Sequence, residues 1–100
     1  MQEILVFVLE QCPYCRQLER ILDDWKDRPE LEGIRFRFVD EEKNPGLADQ
    51  YPYYYVPSLF AGDRKLYEAH PSHFEPVMRK RLEQQLIGWI REQRAEEKPR

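Results

Sequence analysis

The fold of this chain is indicated above all by residues 4–15, which have the sequence ILVFVLEQCPYC. The first six residues form an unbroken apolar run, which is typical of a strand buried on both faces of a sheet. The only two cysteines of the chain, Cys12 and Cys15, follow it. Pro13 suits the first position of a helix because it lacks an N–H group, which would be unpaired there, and its φ is already helical. The stretch therefore predicts a strand that leads through Cys12 into a helix.

Cys12 is predicted to cap this helix and to be the reactive thiol. At an N-cap its sulfur can accept hydrogen bonds from the N–H groups of Tyr14 and Cys15, and the positive end of the helix dipole favours the thiolate. The thiolate is the nucleophile in disulfide chemistry. Cys15 lies one turn further along, shielded and close enough to form a disulfide with Cys12. The spacing predicts a redox-active dithiol in which Cys12 attacks and Cys15 resolves.

The next segments alternate between helical and extended patterns. Apolar residues at three- and four-residue steps from Leu18 to Trp25 predict an amphipathic helix over the first strand, ending at Arg28-Pro29. Alternating apolar and charged residues at 34–38 predict a strand near a sheet edge, parallel to the first. Asn44-Pro45 predicts a short helix that runs to about Gln50.

The second half of the chain predicts a hairpin and a final helix. Residues 56–60 and 65–67 flank a turn at 61–63 that contains glycine. The final helix begins either at a capping box formed by Ser72 and Glu75 or at Pro76. It carries one apolar stripe, composed of Met78, Leu82, Leu86, Trp89 and Ile90. The predicted order of elements is β-α-β-α-β-β-α, an α/β fold.

Composition limits the remaining possibilities. With 100 residues, 41% of them hydrophobic, the chain has enough apolar residues for one core without disulfides. We expect a single domain over residues 1–95 and a frayed tail at 96–100. No apolar run is long enough to span a membrane. The basic cluster at 79–81 is expected to be a solvated helix face rather than a nucleic-acid site.

Cysteine content and the position of the first strand bear on location. The first strand begins almost directly after Met1, so we expect no signal peptide. No other cysteine is present to form structural disulfides, which favours a reducing compartment. We therefore expect a cytoplasmic monomer that binds neither nucleic acid nor membrane.

In these features the sequence resembles the thioredoxin superfamily, and most closely its glutaredoxin-like branch. Three segments between residues 3 and 70 carry the resemblance. The first is the strand leading into C-P-Y-C, the dithiol glutaredoxin active-site sequence. The second is Asn44-Pro45 with Ala48 and Tyr51, similar to the stretch before the third strand of thioredoxins. The third is Val56-Pro57, similar to the cis-proline turn that lies opposite the cysteines in this family.

The resemblance implies a thioredoxin-like fold, a four-stranded mixed sheet with helices on both faces. It also implies a dithiol–disulfide oxidoreductase that acts on a protein disulfide or a glutathione mixed disulfide. Cys12 and Cys15 would be catalytic, and Tyr14, Tyr55, Val56 and Pro57 would bind substrate. No metal or organic cofactor is expected. Glutathione is a candidate co-substrate, and a reductase is a candidate partner.

Several positions depart from the glutaredoxin pattern. Residues 9–11 lack the basic residue that usually precedes the first cysteine, and Tyr55 stands where glutaredoxins typically have threonine. Residues 68–72, Glu-Ala-His-Pro-Ser, replace the glycine pair that holds glutathione. Glu10 and Glu68 add negative charge where the anionic tripeptide would approach. These departures predict weak glutathione binding.

Other interpretations of the same residues remain open. The cysteines could bind a metal, alone or with His70 and His73 as a Cys₂His₂ set, or the fold could be a redox-inactive interaction module. The strand-to-helix context favours redox chemistry. Otherwise the two histidines would belong to a surface turn and a helix cap, with a minor proton-transfer role open to His70.

Neighbouring aromatic and basic residues are also candidates. Tyr51 and Tyr53 are expected in the core, whereas Tyr54 and Tyr55 would line a groove. Arg16 is a candidate for stabilising the thiolate.

Overall fold

The structure, a computed structural model, describes residues 2–97. Four strands form one sheet: β1 (Gln2–Val8), β2 (Ile34–Asp40), β3 (Ser58–Ala61) and β4 (Arg64–Glu68). The helices are α1 (Pro13–Asp24), α2 (Pro45–Ala48), α3 (Glu75–Leu82) and α4 (Gly88–Glu97), with a π-helical turn at Glu83–Ile87 between the last two and a 3₁₀ turn at Pro29–Leu31. This is the predicted order of elements, with the final helix interrupted by the π-helical turn.

The sheet has the strand order β2-β1-β3-β4. β1 is parallel to β2 and antiparallel to β3, and β3 is antiparallel to β4. The edge position of β2 and its parallel pairing with β1, both predicted from the sequence, are confirmed. β3 and β4 form the predicted hairpin, in which Gly62 adopts a φ of +60° that favours glycine.

One face of the sheet carries the main core. Ile4 and Val6 on β1 pack there against Leu18 and Ile21 of α1. The apolar stripe of the final helix lies in the same cluster, and all of its members are buried: Met78, Leu82, Leu86, Trp89 and Ile90. α1, α3 and α4 therefore cover the same face, which fixes α1 against the C-terminal helices.

The other face has a smaller aromatic core. Phe7 and Phe60 are fully buried there, and the rings of Tyr51 and Tyr53 each lie 5.0 Å from Phe7 between centroids. Leu47 of α2 packs against the same cluster. The inward packing predicted for both tyrosines is confirmed, and it anchors the segment that leads to Val56.

Several element boundaries differ from the sequence prediction, including α2, which ends at Ala48 rather than near Gln50, and β3, which begins at Ser58 rather than at residue 56. α1 ends at Asp24 rather than near Arg28, with buried Trp25 as its C-cap. α3 begins at Glu75 with Phe74 as N-cap and Pro76 in its first turn, so the Ser72 capping box is wrong and the Pro76 alternative is closer. Ser72 instead hydrogen-bonds through its backbone N–H and hydroxyl to Nδ1 of His70.

On β2, Phe38 differs from its predicted environment. The alternating pattern places it on the covered face of an edge strand, but Phe38 is 45% exposed. Val39, on the opposite face, is the buried residue at this end of the strand.

No helix within residues 2–97 is long and apolar enough to cross a membrane. α4 continues to Glu97. Residues 98–100, most of the predicted frayed tail, lie outside the described part of the chain.

Candidate functional site

Cys12 lies where β1 has ended and α1 begins. It is the N-cap of α1, with extended backbone angles, and Pro13 occupies the first turn. Both features follow the prediction. The sulfur, however, makes no capping hydrogen bond to the first turn of the helix. It is instead 3.8 Å from the carbonyl oxygen of Val56, to which the thiol can donate. Cys12 is only partly buried, so its sulfur remains accessible.

Cys15 lies in the first turn of the same helix and is only 3% exposed. Burial is the main reason that its pKa is raised, to about 12, and the neighbouring sulfur of Cys12 raises it further. At neutral pH Cys15 is therefore a protonated thiol. The two cysteines differ in the sense that the sequence predicts, one accessible and one shielded, and both are free thiols.

The loop before β3 lies opposite Cys12. The Val56–Pro57 peptide bond is cis, as predicted from the family resemblance. Pro57 is buried, and its carbonyl oxygen accepts a hydrogen bond from the N–H of Ala69 at 3.0 Å. The loop is therefore tied to the end of β4, with the carbonyl of Val56 turned towards the Cys12 sulfur.

Glu68 holds the residues just before this bond. Its Oε2 accepts the backbone N–H groups of Tyr54 and Tyr55 at 2.6 and 2.8 Å, while Oε1 accepts a hydrogen bond from Lys65 at 2.6 Å. Ser58 adds a hydrogen bond from its hydroxyl to the carbonyl of Tyr55 at 2.5 Å. The pre-proline segment is thus fixed through backbone groups on both sides.

The environment of Glu68 differs from the one expected from the sequence. Its side chain is only 16% exposed, and its charge is compensated by Lys65 and two N–H groups. It is therefore a structural support of the loop rather than a free negative charge in the groove. Glu10, the other expected charge, is exposed and lies 4.0 Å from Lys43.

Tyr14 connects the cysteine motif to the loop between β4 and α3. Its hydroxyl donates to the carbonyl of Pro71 at 2.6 Å, and Gln17, one turn further along α1, donates to the carbonyl of His73 at 3.1 Å. These bonds fix the 70–73 loop beside the start of α1. Substrate binding by Tyr14 remains a prediction.

The two histidines occupy different environments in that loop. His70 is exposed, and its ring contacts Tyr55 edge-on at 6.0 Å between centroids. His73 is half-buried, stacks on Tyr67 and shares a hydrogen bond of 2.7 Å with the Tyr67 hydroxyl. Burial lowers the pKa of His73, helped by the charge of Arg81. His73 is therefore a partner of the buried Tyr67 rather than a helix cap.

Tyr54 and Tyr55 are exposed beside the cis-proline, with 93% and 48% of their surfaces accessible. Tyr54 lines a depression together with Tyr51 and Tyr53, and the predicted place of Tyr55 in a substrate groove remains a prediction. Arg16 is exposed and, with Glu19, lines a cavity of about 250 Å³ that reaches Cys15.

The cysteines and histidines do not assemble into a metal centre. Among residues 2–97, no three His, Cys, Asp or Glu side chains lie close enough together to hold a metal ion. The structure thus gives the Cys₂His₂ alternative no support.

The residues that support the site through backbone groups were not predicted from the sequence. Glu68, Ser58 and Gln17 all bind carbonyl or N–H groups of the loops around the cysteines. Their partners lie between three and 56 residues away, and backbone groups carry no sequence pattern. Only Ser58 could have been recognised from the sequence, because it is a polar residue between apolar neighbours and directly follows Pro57. The structure shows that it is fully buried.

Comparison with known structures identifies the fold. No protein-family model matches the sequence, and no curated protein shows significant similarity to it. A structure described as that of a malarial protein superposes with a TM-score of 0.53 at 18% identity, covering 84% of this chain and 96% of that one. A mutant thioredoxin from Halobacterium salinarum NRC-1 superposes with a TM-score of 0.54 at 21% identity, covering 83% of this chain and 73% of that one. At these identities the similarity shows the fold, and the chain has a thioredoxin-like fold.

Proposed function

We propose that this protein is a small dithiol–disulfide oxidoreductase that reduces disulfides in polypeptides through Cys12 and Cys15. One observation carries the proposal. An accessible thiol at a helix N-terminus, a buried thiol in the first turn and the carbonyl before a cis-proline lie within one small site. Helix N-termini favour the anionic form of a group placed there, which suits an attacking thiolate.

The reaction balances over two steps. The Cys12 thiolate attacks one sulfur of the substrate disulfide, forms a mixed disulfide and releases the other substrate sulfur as a thiolate. Cys15 then loses its proton and attacks the Cys12 sulfur, which releases the second substrate thiolate and leaves a Cys12–Cys15 disulfide. The substrate gains two electrons and two protons, and a thiol reductant must return two electrons to the protein.

Cys15 suits the resolving role because its burial delays ionisation. A thiol with a pKa of about 12 is mostly protonated at neutral pH and is a poor nucleophile until it is deprotonated. Cys12 becomes a target only as part of the mixed disulfide, and Cys15 attacks it once a base has taken the proton of Cys15.

The loop opposite Cys12 suits a polypeptide substrate. The Val56 carbonyl faces the Cys12 sulfur, and the segment before it is held in place by its neighbours. An extended substrate chain can pair with the backbone of Val56 as a short additional strand, which recognises main chain rather than one side chain. Tyr14, Tyr55 and Pro57 would surround the bound segment.

Glutathione mixed disulfides are expected to be poorer substrates than protein disulfides. Glutathione is an anion, and Glu10 is an exposed carboxylate two residues before Cys12 in the chain. Like charges slow encounter and weaken binding. We expect kcat/KM for a glutathione mixed disulfide to be at least about tenfold below that for insulin, and to rise when salt screens the repulsion.

The test measures reduction of both substrates with dithiothreitol as the common electron donor and with the uncatalysed rate subtracted. Cys12→Ser serves as the inactive control. Reduction of insulin above that control supports the proposed function, and no reduction of either substrate would contradict it. Glutathione turnover as efficient as insulin turnover, and unaffected by salt, would contradict the expected substrate preference.

A further inference from the structure

A second feature lies beside the cis-proline loop and is not used by the chemistry of the cysteines. It is a depression of about 330 Å³ between α2 and the segment before Val56, here called the tyrosine cleft. Three aromatic rings and two carboxylates line it: Tyr51, Tyr53, Tyr54, Glu41 and Asp49. Tyrosine faces and carboxylates both attract cations.

The walls of the tyrosine cleft are fixed by the core. Tyr53 stacks on Phe7 with an interplanar angle of 20°, and Tyr51 packs on Phe60 with 4.9 Å between centroids. Glu41 accepts a hydrogen bond from the Tyr53 hydroxyl at 2.8 Å, which orients the carboxylate along the wall. The cleft is therefore preformed and does not need to reorganise to bind a ligand.

The charge of the tyrosine cleft is negative and is not compensated by nearby cations. Within residues 2–97, neither Glu41 nor Asp49 lies within 4.0 Å of a basic side chain. Residues 40–50 contain four acidic residues and a single basic one, Lys43, which is directed to Glu10. Burial raises the pKa of Tyr53, and both carboxylates raise it further, so their negative field extends into the cleft.

The tyrosine cleft is close to the reacting sulfur through two backbone connections. Tyr54 is two residues from Val56, so the Cα atoms of Tyr54 and Val56 are at most about 7 Å apart. The carbonyl of Val56 faces Cys12. On the other side, the N–H of Glu41 donates to the carbonyl of Val8 at 3.0 Å, at the end of the strand that leads to Cys12. A substrate cysteine at Cys12 would place its neighbouring residues within reach of the cleft.

We propose that the tyrosine cleft binds a lysine or arginine side chain of the polypeptide substrate, close to its reacting cysteine. The inference rests on the proposed function and specifies its substrate class: disulfides flanked by a basic residue. The aliphatic stem of the side chain lies against the tyrosine rings, and its charged end reaches Glu41 and Asp49. The same field disfavours acidic flanking residues and anionic glutathione.

The test compares three peptides that differ at one residue. Each peptide carries one cysteine joined in a mixed disulfide to neutral 2-mercaptoethanol. The variable residue, lysine, norleucine or glutamate, lies two residues from that cysteine. One series of peptides has it on the N-terminal side of the cysteine and a second series has it on the C-terminal side. Release of the thiol is followed with dithiothreitol as electron donor. At ~0.01 M ionic strength, where the Debye length is ~30 Å, we expect kcat/KM to be about tenfold higher for lysine than for glutamate. At ~1 M the preference should nearly vanish because the Debye length falls to ~3 Å.

Matched variants separate the tyrosine cleft from the overall charge of the protein. Glu41→Gln combined with Asp49→Asn should bring the lysine-to-glutamate ratio close to one. Asp27→Asn combined with Glu32→Gln removes the same charge at the other end of β2 and should retain the preference. Tyr54→Leu removes only an exposed ring and should lower the preference about two- to fivefold.

The outcomes distinguish this proposal from the proposed function. The proposal that the tyrosine cleft binds a basic side chain is overturned if all three peptides are reduced at equal rates. It is also overturned if both double variants lose the preference equally. Either result leaves the oxidoreductase proposal standing. If no peptide is reduced, the oxidoreductase proposal fails. Binding to the cleft is then tested with the same peptides carrying serine in place of cysteine, by following the NMR shifts of the Tyr53 and Tyr54 amides. Equal shifts with the lysine and glutamate peptides would overturn the proposed binding of a basic side chain.

Discussion

Replacing Cys12 with serine is expected to lower insulin reduction to the uncatalysed rate, whereas Cys15→Ser should trap the substrate on Cys12 as a mixed disulfide. The reason is the difference in exposure, since Cys12 is partly accessible and Cys15 is 3% exposed. Only Cys12 can make the first attack, and without Cys15 no internal thiol can release the product. Intact-mass measurement before and after reductant checks both outcomes.

The rate at which each thiol is alkylated provides an independent check. Because burial raises its pKa to about 12, Cys15 is a protonated thiol at pH 7, and its burial also restricts access. Iodoacetamide should therefore modify Cys12 first in the wild type, and Cys12→Ser should react far more slowly than Cys15→Ser. Faster alkylation of Cys15 would reverse the assignment of attacking and resolving cysteines.

The parts of the fold that were predicted from the sequence depend on local patterns. The passage from β1 through Cys12 into α1 combines an apolar run, a cysteine and a helix-starting proline within residues 4–13. The β3–β4 hairpin is marked by the turn at Gly62, whose φ of +60° favours glycine. In both cases the residues that determine the structure are adjacent in the chain.

The sequence predictions fail where residues far apart in the chain determine the local structure. Alternation identifies which face of β2 Phe38 occupies, but not that the side chain is left 45% exposed there. The sulfur of Cys12 does not cap α1, and it faces the carbonyl of Val56, 44 residues away. Ser72 has the pattern of a capping box, yet it forms its bonds with His70, since α3 begins later, at Glu75.

Within the candidate site, the cysteines and the cis-proline turn were identified from the sequence because their residue types are distinctive. The supports of the turn were not, because Glu68 acts on backbone N–H groups that any residue at positions 54 and 55 would supply. A carboxylate in an edge strand is ordinarily a solvated charge. Its role becomes visible only when the hairpin places it beside the pre-proline segment.

Glu68→Ala is expected to raise KM for a protein disulfide about tenfold or more while leaving alkylation of Cys12 within about twofold of the wild type. The change removes the acceptor of the Tyr54 and Tyr55 N–H groups, and a hydrogen bond to a charged group contributes about 1.5–3 kcal/mol. The loop that pairs with the substrate then loses its fixed position, but Cys12 at the start of α1 does not. Steady-state kinetics with insulin and iodoacetamide labelling measure the two effects separately.

Two further variants show whether Glu68 acts as a positioning residue. Glu68→Gln keeps a side-chain oxygen that can accept the N–H groups and should restore most of the affinity. Lys65→Met removes the ion pair at 2.6 Å but leaves both N–H bonds, so it should have the smaller effect. A glutamine variant as impaired as alanine, or an unchanged KM in Glu68→Ala, would argue against this role.

The pH dependence of KM follows from the ionisation of the same carboxylate. Burial opposes its ionisation, but the Lys65 ammonium and the two N–H groups outweigh burial and lower the pKa of Glu68. A lowered folded-state pKa means that the stabilisation is complete above the unfolded value of ~4.3 and is lost as the pH falls through the folded value. KM of the wild type should therefore show no transition from Glu68 above pH ~5. A rise in KM on acidification from pH ~7 to ~5, absent in Glu68→Gln, would mean that the carboxylate is not held ionised by these contacts.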